Sequence, residues 1–382
     1  MVHMDIDTFF VSCQRLIDTS LEGKPVIVGG KSDRGVVASC SYEARHYGVH
    51  SAMPMRLALR LCPDAVVVKG DIEMYSQKSG EVTQIIAEEA PLFEKASIDE
   101  FYLDITGMDR FFGCYKWTTE LTQKIISHTG LPISFGLSPT KTVSKIATNE
   151  AKPLGQLQIF FDEVRPFLNP LSISKIPMIG SATYKTLSRV GIRTIQTLAA
   201  IPEEVLTRLL GKNGSALFRK ANGIDSTPVI QYNERKSIST ERTFMRDSMD
   251  IPRIKALLVQ MIENLCYRLR SEQRLASVIA VKIRYTNFDT HTQQAKIPYT
   301  SCDHLLILRA IELFDKVYER RMMIRLVGIR LSGLVQGDYQ INLFDEVSII
   351  NLYQAMDRVR NRFGKYAIQR ASSLGALTRD NT

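Results

Sequence analysis

What the sequence lacks narrows its class. No two of its six cysteines form a C-x-x-C pair. They read as reduced thiols, neither a disulfide framework nor a zinc site. No apolar run is long enough to cross a bilayer. The longest stretch without Asp, Glu, Lys or Arg, residues 125–140, is broken by His128, two prolines and two glycines. Asp5 follows the start at once, so no signal peptide is expected, and no repeat or low-complexity tract is visible. What is present is ordinary for a globular chain of 382 residues: 45% hydrophobic and 23% charged. This composition excludes a disordered chain, and the length predicts two to four domains.

The net charge is +9, unevenly spread. Residues 1–230 carry 25 basic and 24 acidic side chains; residues 231–382 carry 24 and 16. A basic second part beside a neutral first part points to a polyanion partner for the second.

Residues 1–165 alternate strand and helix patterns. Strands are expected at 2–7, 24–30, 35–39 and 133–137, and helices at 53–62, 72–90, 114–129 and 141–151. Residues 96–105 read as two strands, or a hairpin, around Ile98-Asp99-Glu100. Short helices with glycine breaks follow from 166, and 176–192 fits two helices joined by a glycine-containing turn. A polar linker at 231–236 precedes a separate unit with strands at 237–244, 278–285, 293–297 and 326–334 and helices at 251–270 and 304–321. A last amphipathic helix is expected at 349–363.

Two acidic pairs stand out. Asp5 and Asp7 lie in an apolar strand, and Asp99 and Glu100 lie in another. Ionised carboxylates in such strands are costly unless paired or bound to metal. Carboxylates converging from separate strands suit a pair of Mg²⁺ ions, which prefer hard oxygen ligands and can support an in-line phosphoryl displacement. Tyr42 and Arg45 open a helix after a small-residue strand, and Lys152 follows a helix; each read singly is a surface cation or an amphipathic Tyr, and together they suit a phosphate. Phe9 and Phe10 directly follow the first acidic pair and read, on their own, as two core aromatics or as an aromatic wall.

Taken together, Met4-Asp5-Ile6-Asp7-Thr8-Phe9-Phe10, Ser41-Tyr42-Glu43-Ala44-Arg45, Ser51-Ala52-Met53-Pro54, Ser97-Ile98-Asp99-Glu100, Gly136-Leu137-Ser138, Lys145-Ile146-Ala147 and Lys152-Pro153 resemble the Y-family DNA polymerases, nearest the polymerase IV-like translesion branch. The resemblance spans residues 2–345. It implies an α+β right-hand polymerase: palm at 1–10 and 73–165, fingers at 11–72, helix-hairpin-helix thumb at 166–230, linker at 231–236, little finger at 237–337, and a clamp-binding peptide with C-terminal helix at 338–382.

The resemblance also implies roles. Asp5, Asp99 and Glu100, with the Ile6 carbonyl, would hold two Mg²⁺ ions, and Asp7 would support them. Phe10 would be the steric gate against ribonucleotides, beside Phe9. Ser39, Tyr42, Arg45 and Lys152 would bind the dNTP. Ile179, Gly180, Gly191, Lys236, Ser237, Ser239 and Arg242 would contact primer-template DNA. Gln340, Leu343 and Phe344 would dock on the sliding clamp, its beta subunit. Met178 stands where the thumb hairpin usually has glycine, so a positive φ there would be strained. The implied protein is a monomeric, cytoplasmic, nucleoid-associated polymerase of low fidelity, with no membrane contact. The alternatives are an inactive DNA- and clamp-binding scaffold of the same fold and a palm-type nucleotide cyclase.

Overall fold

A computed structural model describes all residues except 31, 33, 109–112, 232, 233, 338–346, 365 and 374–382, and the side chains of 347 and 350. The chain divides into two units, Met1–Asn233 and Glu234–Thr382.

The first unit contains β1 (Val2–Ile6), β2 (Val26–Gly29), β3 (Val37–Cys40), β4 (Val66–Val68), β5 (Phe93–Lys95), β6 (Glu100–Leu103), β7 (Ile133–Leu137) and β8 (Gln156–Gln158). Five of these form a sheet in the order β5-β6-β1-β7-β8, and three form a smaller one, β3-β2-β4. β1 lies at the centre of the larger sheet, antiparallel to β6 and β7. Its alternation explains its place. Val2, Met4 and Ile6 join the apolar core with Val82, Ile86, Leu121 and Ile125 from helices Ile72–Glu89 and Cys114–Thr129. His3 and Asp5 take the opposite face of the strand.

Helix Lys141–Ala151 covers that opposite face. It approaches closely because Gly136 on β7 has no side chain; a Cβ there would sit 2.3 Å from the Ser144 carbonyl oxygen. The acidic segment proves to be the hairpin of the two expected forms. Its strands are β5 and β6, and residues 96–99 form the turn. The hairpin arises because Ser97 folds back to accept the Glu100 N–H at 3.0 Å.

From residue 164, five short helices enclose a core of Leu187, Ile195, Leu198, Leu206 and Leu217. Met178 adopts φ +85° and is 59% exposed, so the strained conformation expected of this position is present.

The second unit contains β9 (Ser237–Ser248), β10 (Arg274–Tyr285), β11 (Thr290–Thr300) and β12 (Ile324–Gln336), in the order β11-β10-β12-β9. Helices Ile251–Ser271 and Asp303–Val317 pack on one face through Leu258, Ile262, Leu306 and Phe314 against Ile279, Val281, Ile329 and Leu331. The final helix, Val347–Phe363, is fastened to this unit. Arg270 bonds Asp303 at 2.6 Å and Asp357 at 2.5 Å, and Tyr353 accepts the His304 N–H at 3.1 Å.

Candidate active site

The β1–β6 register sets Asp5 opposite Glu100, and the Ile6 N–H donates to the Asp99 carbonyl at 3.0 Å. Acids distant in the chain therefore meet at one edge of the central strand. Ser97 Oγ donates to Asp99 Oδ1 at 2.5 Å, which ties that carboxylate to the turn.

Helix Lys141–Ala151 and the residue after it meet this edge with one side chain per turn, as positions three or four apart share a helix face. Lys141 donates to Glu94 at 2.7 Å, Lys145 to Glu100 at 2.6 Å, and Lys152 to Asp5. Between them Thr148 Oγ1 lies 2.9 Å from His3 Nδ1. The helix is itself held at its start. Asp225 accepts from the Thr142 N–H at 3.1 Å and hydroxyl at 2.6 Å, and Lys141 also donates to the Pro228 carbonyl at 3.0 Å.

The electrostatics are divided. Burial raises the Asp5 carboxyl well above the usual carboxylate range; Lys152 opposes the rise, and Asp99 and Glu100 add to it. Burial also works against the charged form of Glu100, but the neighbouring His3 ring and the Lys145 ammonium hold its carboxyl below the usual range. Burial lowers His3. Asp7, fully buried, is satisfied by neutral donors: Tyr42 OH at 3.2 Å, Ser134 Oγ at 2.7 Å and the Leu154 N–H at 2.8 Å. It braces three segments together.

A cavity of about 150 Å³ opens here, lined by Asp5, Ile6, Thr8, Phe9, Phe10, Ala38, Ser39, Arg45, Ser51, Asp99 and Lys152. Most of the expected metal and nucleotide residues thus share one space. Two stand outside the lining. Glu100 is engaged by Lys145, and the Tyr42 hydroxyl by Asp7, while the Tyr42 ring carries the Arg45 guanidinium at 4.9 Å. Tyr42 instead lines a second cavity, of about 310 Å³, with Asp7, Thr8, Arg15 and Leu154. Among the described residues, no three His, Cys, Asp or Glu side chains surround a common cation position. Lysine ammonium groups occupy two of the carboxylates instead. The donor set nevertheless fits Mg²⁺: hard oxygens of Asp5 and Asp99 facing one cavity, the first of them buried.

The Phe10 ring stacks on Tyr75 at 4.4 Å and 16°, and the Tyr75 hydroxyl accepts from Gln14 Nε2 at 2.9 Å. Phe9 is buried and tilted against both rings. Sequence reasoning passed over Tyr75, His3 and Thr148, since each alone is an ordinary core residue.

The expected DNA contacts are dispersed. Ile179 is core, with its side chain buried; Gly180 caps helix Ser181–Arg189, and Gly191 adopts φ +85°. Lys236 and Ser239 are exposed. Ser237 and Ser239 lie on the open face of the sheet, whereas Arg242 alternates with Ile238 and Phe244 on the helix-covered face. The open face also carries Lys282, Arg284, Lys296 and Arg330: the pairing registers align Ala280 with Gln294 and Arg330, and Arg330 with Ser239. The alternation of Val281, Lys282, Ile283, Arg284 and Tyr285 is the signal that could have found two of them. Glu241 on the same face accepts from Lys282 at 2.8 Å. Gln340, Leu343 and Phe344 lie outside the described residues.

Comparison with known proteins identifies the family. The impB/mucB/samB family matches residues 4–149, and the C-terminal domain of that family matches 235–343. The chain is 34% identical over 374 residues to a DNA polymerase IV of Dehalococcoides mccartyi, covering 97% of this chain and 96% of that one. It is 37% identical over 341 residues to a DNA polymerase IV of Methanoculleus marisnigri, covering 88% and 95%. A Y-family polymerase chimera of Dbh and Dpo4 superimposes with a TM-score of 0.79 at 26% identity, covering 88% of this chain and 99% of that one. The structure of DinB from Sulfolobus solfataricus gives 0.60 at 26% identity, with the same coverage. The matches extend over both units of the chain, and the chain belongs to the Y family of DNA-directed DNA polymerases, the impB/mucB/samB family.

Proposed function

We propose that the protein extends a DNA primer on a template by adding dNTPs, with low fidelity and tolerance of damaged templates. The observation that carries this reading is the shared cavity of Asp5, Asp99, Phe10, Ser39, Arg45 and Lys152, with Glu100 directly across β1. The primer 3′-hydroxyl attacks the α-phosphate and pyrophosphate leaves. Asp5, Asp99, Glu100 and the Ile6 carbonyl would hold two Mg²⁺ ions, which when bound supply the charge that activates the attacking oxygen and steadies the leaving one. Arg45, Lys152 and Ser39 bind the triphosphate, and Tyr42 orients Arg45 through its ring. Phe10 bars a 2′-hydroxyl. Most of the acceleration then comes from positioning and electrostatics, as phosphoryl transfer asks little covalent chemistry of the protein. Small residues at the cavity wall, Ala38 and Ser51, leave the base pair loosely confined.

The five-stranded sheet is the palm in this reading (1–10 and 73–165), the three-stranded sheet the fingers (11–72), the helical segment the thumb (166–230), and the second unit the little finger (237–337). Its open face, with Lys282, Arg284, Lys296 and Arg330, meets backbone phosphate. Gln340, Leu343 and Phe344 bind a sliding clamp, and the protein works as a cytoplasmic monomer at the nucleoid. No described helix is long and apolar enough to cross a membrane.

Primer extension on undamaged and abasic templates, with and without Mg²⁺, tests the whole. Extension past the abasic site that requires the cation is expected. DNA binding without any extension would favour the inactive scaffold.

A further inference from the structure

His3 is fully buried in β1, and its ring lies 4.7 Å from the Tyr102 ring. Its two nitrogens face different neighbours. Nδ1 lies 2.9 Å from Thr148 Oγ1. That hydroxyl also lies 2.9 Å from the His3 carbonyl oxygen and 2.9 Å from the Ser144 carbonyl oxygen. Nε2 is buried, has no hydrogen-bond partner among the described residues, and faces Glu100 Oε2 at 3.9 Å. A buried polar atom left unpaired is costly. The separation is too long for a direct bond and short enough for one water to bridge the two atoms.

We propose that His3 is a positioning residue for the metal-binding carboxylate of Glu100: Thr148 fixes the ring, and Nε2 shares a bridging water with the carboxylate. The bridge meets the same oxygen, Oε2, that Lys145 holds at 2.6 Å. It leaves the carboxylate with a preferred orientation when the lysine lets go. The inference rests on the reading of Glu100 as a metal ligand. Side chains that orient metal ligands from behind typically affect metal affinity about 10–100-fold.

The test compares His3→Gln, whose amide reaches the Nε2 position, with His3→Asn, whose amide reaches only the Nδ1 position, and with His3→Phe, which keeps the ring contact alone. Mn²⁺ binding is read by the spin-resonance signal of the free ion, with a dideoxy-terminated primer-template and dNTP present so that no reaction occurs. The proposal expects His3→Asn and His3→Phe to weaken Mn²⁺ binding about tenfold. His3→Gln should stay within about threefold of the parent, and all three should leave the dNTP KM at saturating Mg²⁺ little changed. Equal weakening in His3→Gln and His3→Asn, or none in either, overturns it. If His3→Phe does not fold, the Gln and Asn pair still decides. Glu100→Gln in the same assay separates the two readings. Normal Mn²⁺ binding there removes the metal assignment, whereas loss there with unchanged His3 variants removes the role of His3 alone.

Discussion

Lys152 and Asp5 form an ion pair within the cavity of the first unit. On the proposed function, the ammonium stands where a bound cation and a triphosphate would meet. Lys152→Met should leave Asp5 buried without a partner and lower stability by about 1–3 kcal/mol in buffer free of divalent cations. Added Mg²⁺ should restore more of the melting temperature in the variant than in the parent, as calorimetry would show. An equal response in the two proteins would mean that the lysine is not holding the place of a cation.

Asp99→Ala and Glu100→Ala should each lower primer extension by at least about a thousandfold, the scale lost when charge stabilisation of a transferred phosphoryl group is removed. Binding of primer-template, read by fluorescence anisotropy, should stay within a few-fold. Near-normal extension would refute the role of the acids.

Phe10 is held by its stack on Tyr75, so sugar selectivity should depend on both rings. Phe10→Ala should narrow the preference for dNTP over NTP by about tenfold or more in kcat/KM, since steric exclusion of one hydroxyl is worth about 1–3 kcal/mol. Tyr75→Leu should give a smaller loss of the same kind. A Phe10→Ala enzyme with unchanged selectivity would show that the gate lies elsewhere.

Asp225 caps the helix that bears Lys145. Burial works against its ionised form, but hydrogen bonds from Thr142 and Thr227 hold its carboxyl below the ordinary range. Its stabilisation is therefore present above the unfolded carboxylate pKa, about 4, and is lost as pH falls through the lower folded value. Asp225→Asn should cost about 1 kcal/mol at neutral pH, as a lost helix cap does. The gap between parent and variant in urea unfolding should narrow as the pH falls below about 4.

Arg330 belongs to the open face of the second unit's sheet. Arg330→Ala should weaken binding similarly on unrelated DNA sequences and lower the salt slope by about one. Glu241→Gln should do the reverse by releasing Lys282. A salt slope unmoved by either change would place the duplex on another surface.

Much of this is legible in the sequence. Helices Cys114–Thr129 and Lys141–Ala151 and strand Ile133–Leu137 have clear caps and periods, and their expected limits agree with the observed ones. β4 and β8 were not foreseen, since three residues carry too little periodicity and both strands depend on a neighbour already in place. The acids were conspicuous because a carboxylate in an apolar strand is anomalous. His3, Tyr75 and Thr148 were not, because their meaning lies in contacts between segments distant in sequence. The same holds for the attachment of the final helix. Arg270, Asp303 and Asp357 come from three helices, and nothing local pairs them.

Helix Lys141–Ala151 engages the sheet edge through one side chain at each turn: Lys141, Lys145, Thr148 and, just past its end, Lys152. Such an element behaves as a toothed rack. Sliding it by one turn, ~5.4 Å, disengages every tooth together, and smaller slides satisfy none. Asp225 and Pro228 are tied to its first turn, so tension in the chain leaving the first unit meets the resistance of the whole rack rather than of one ion pair.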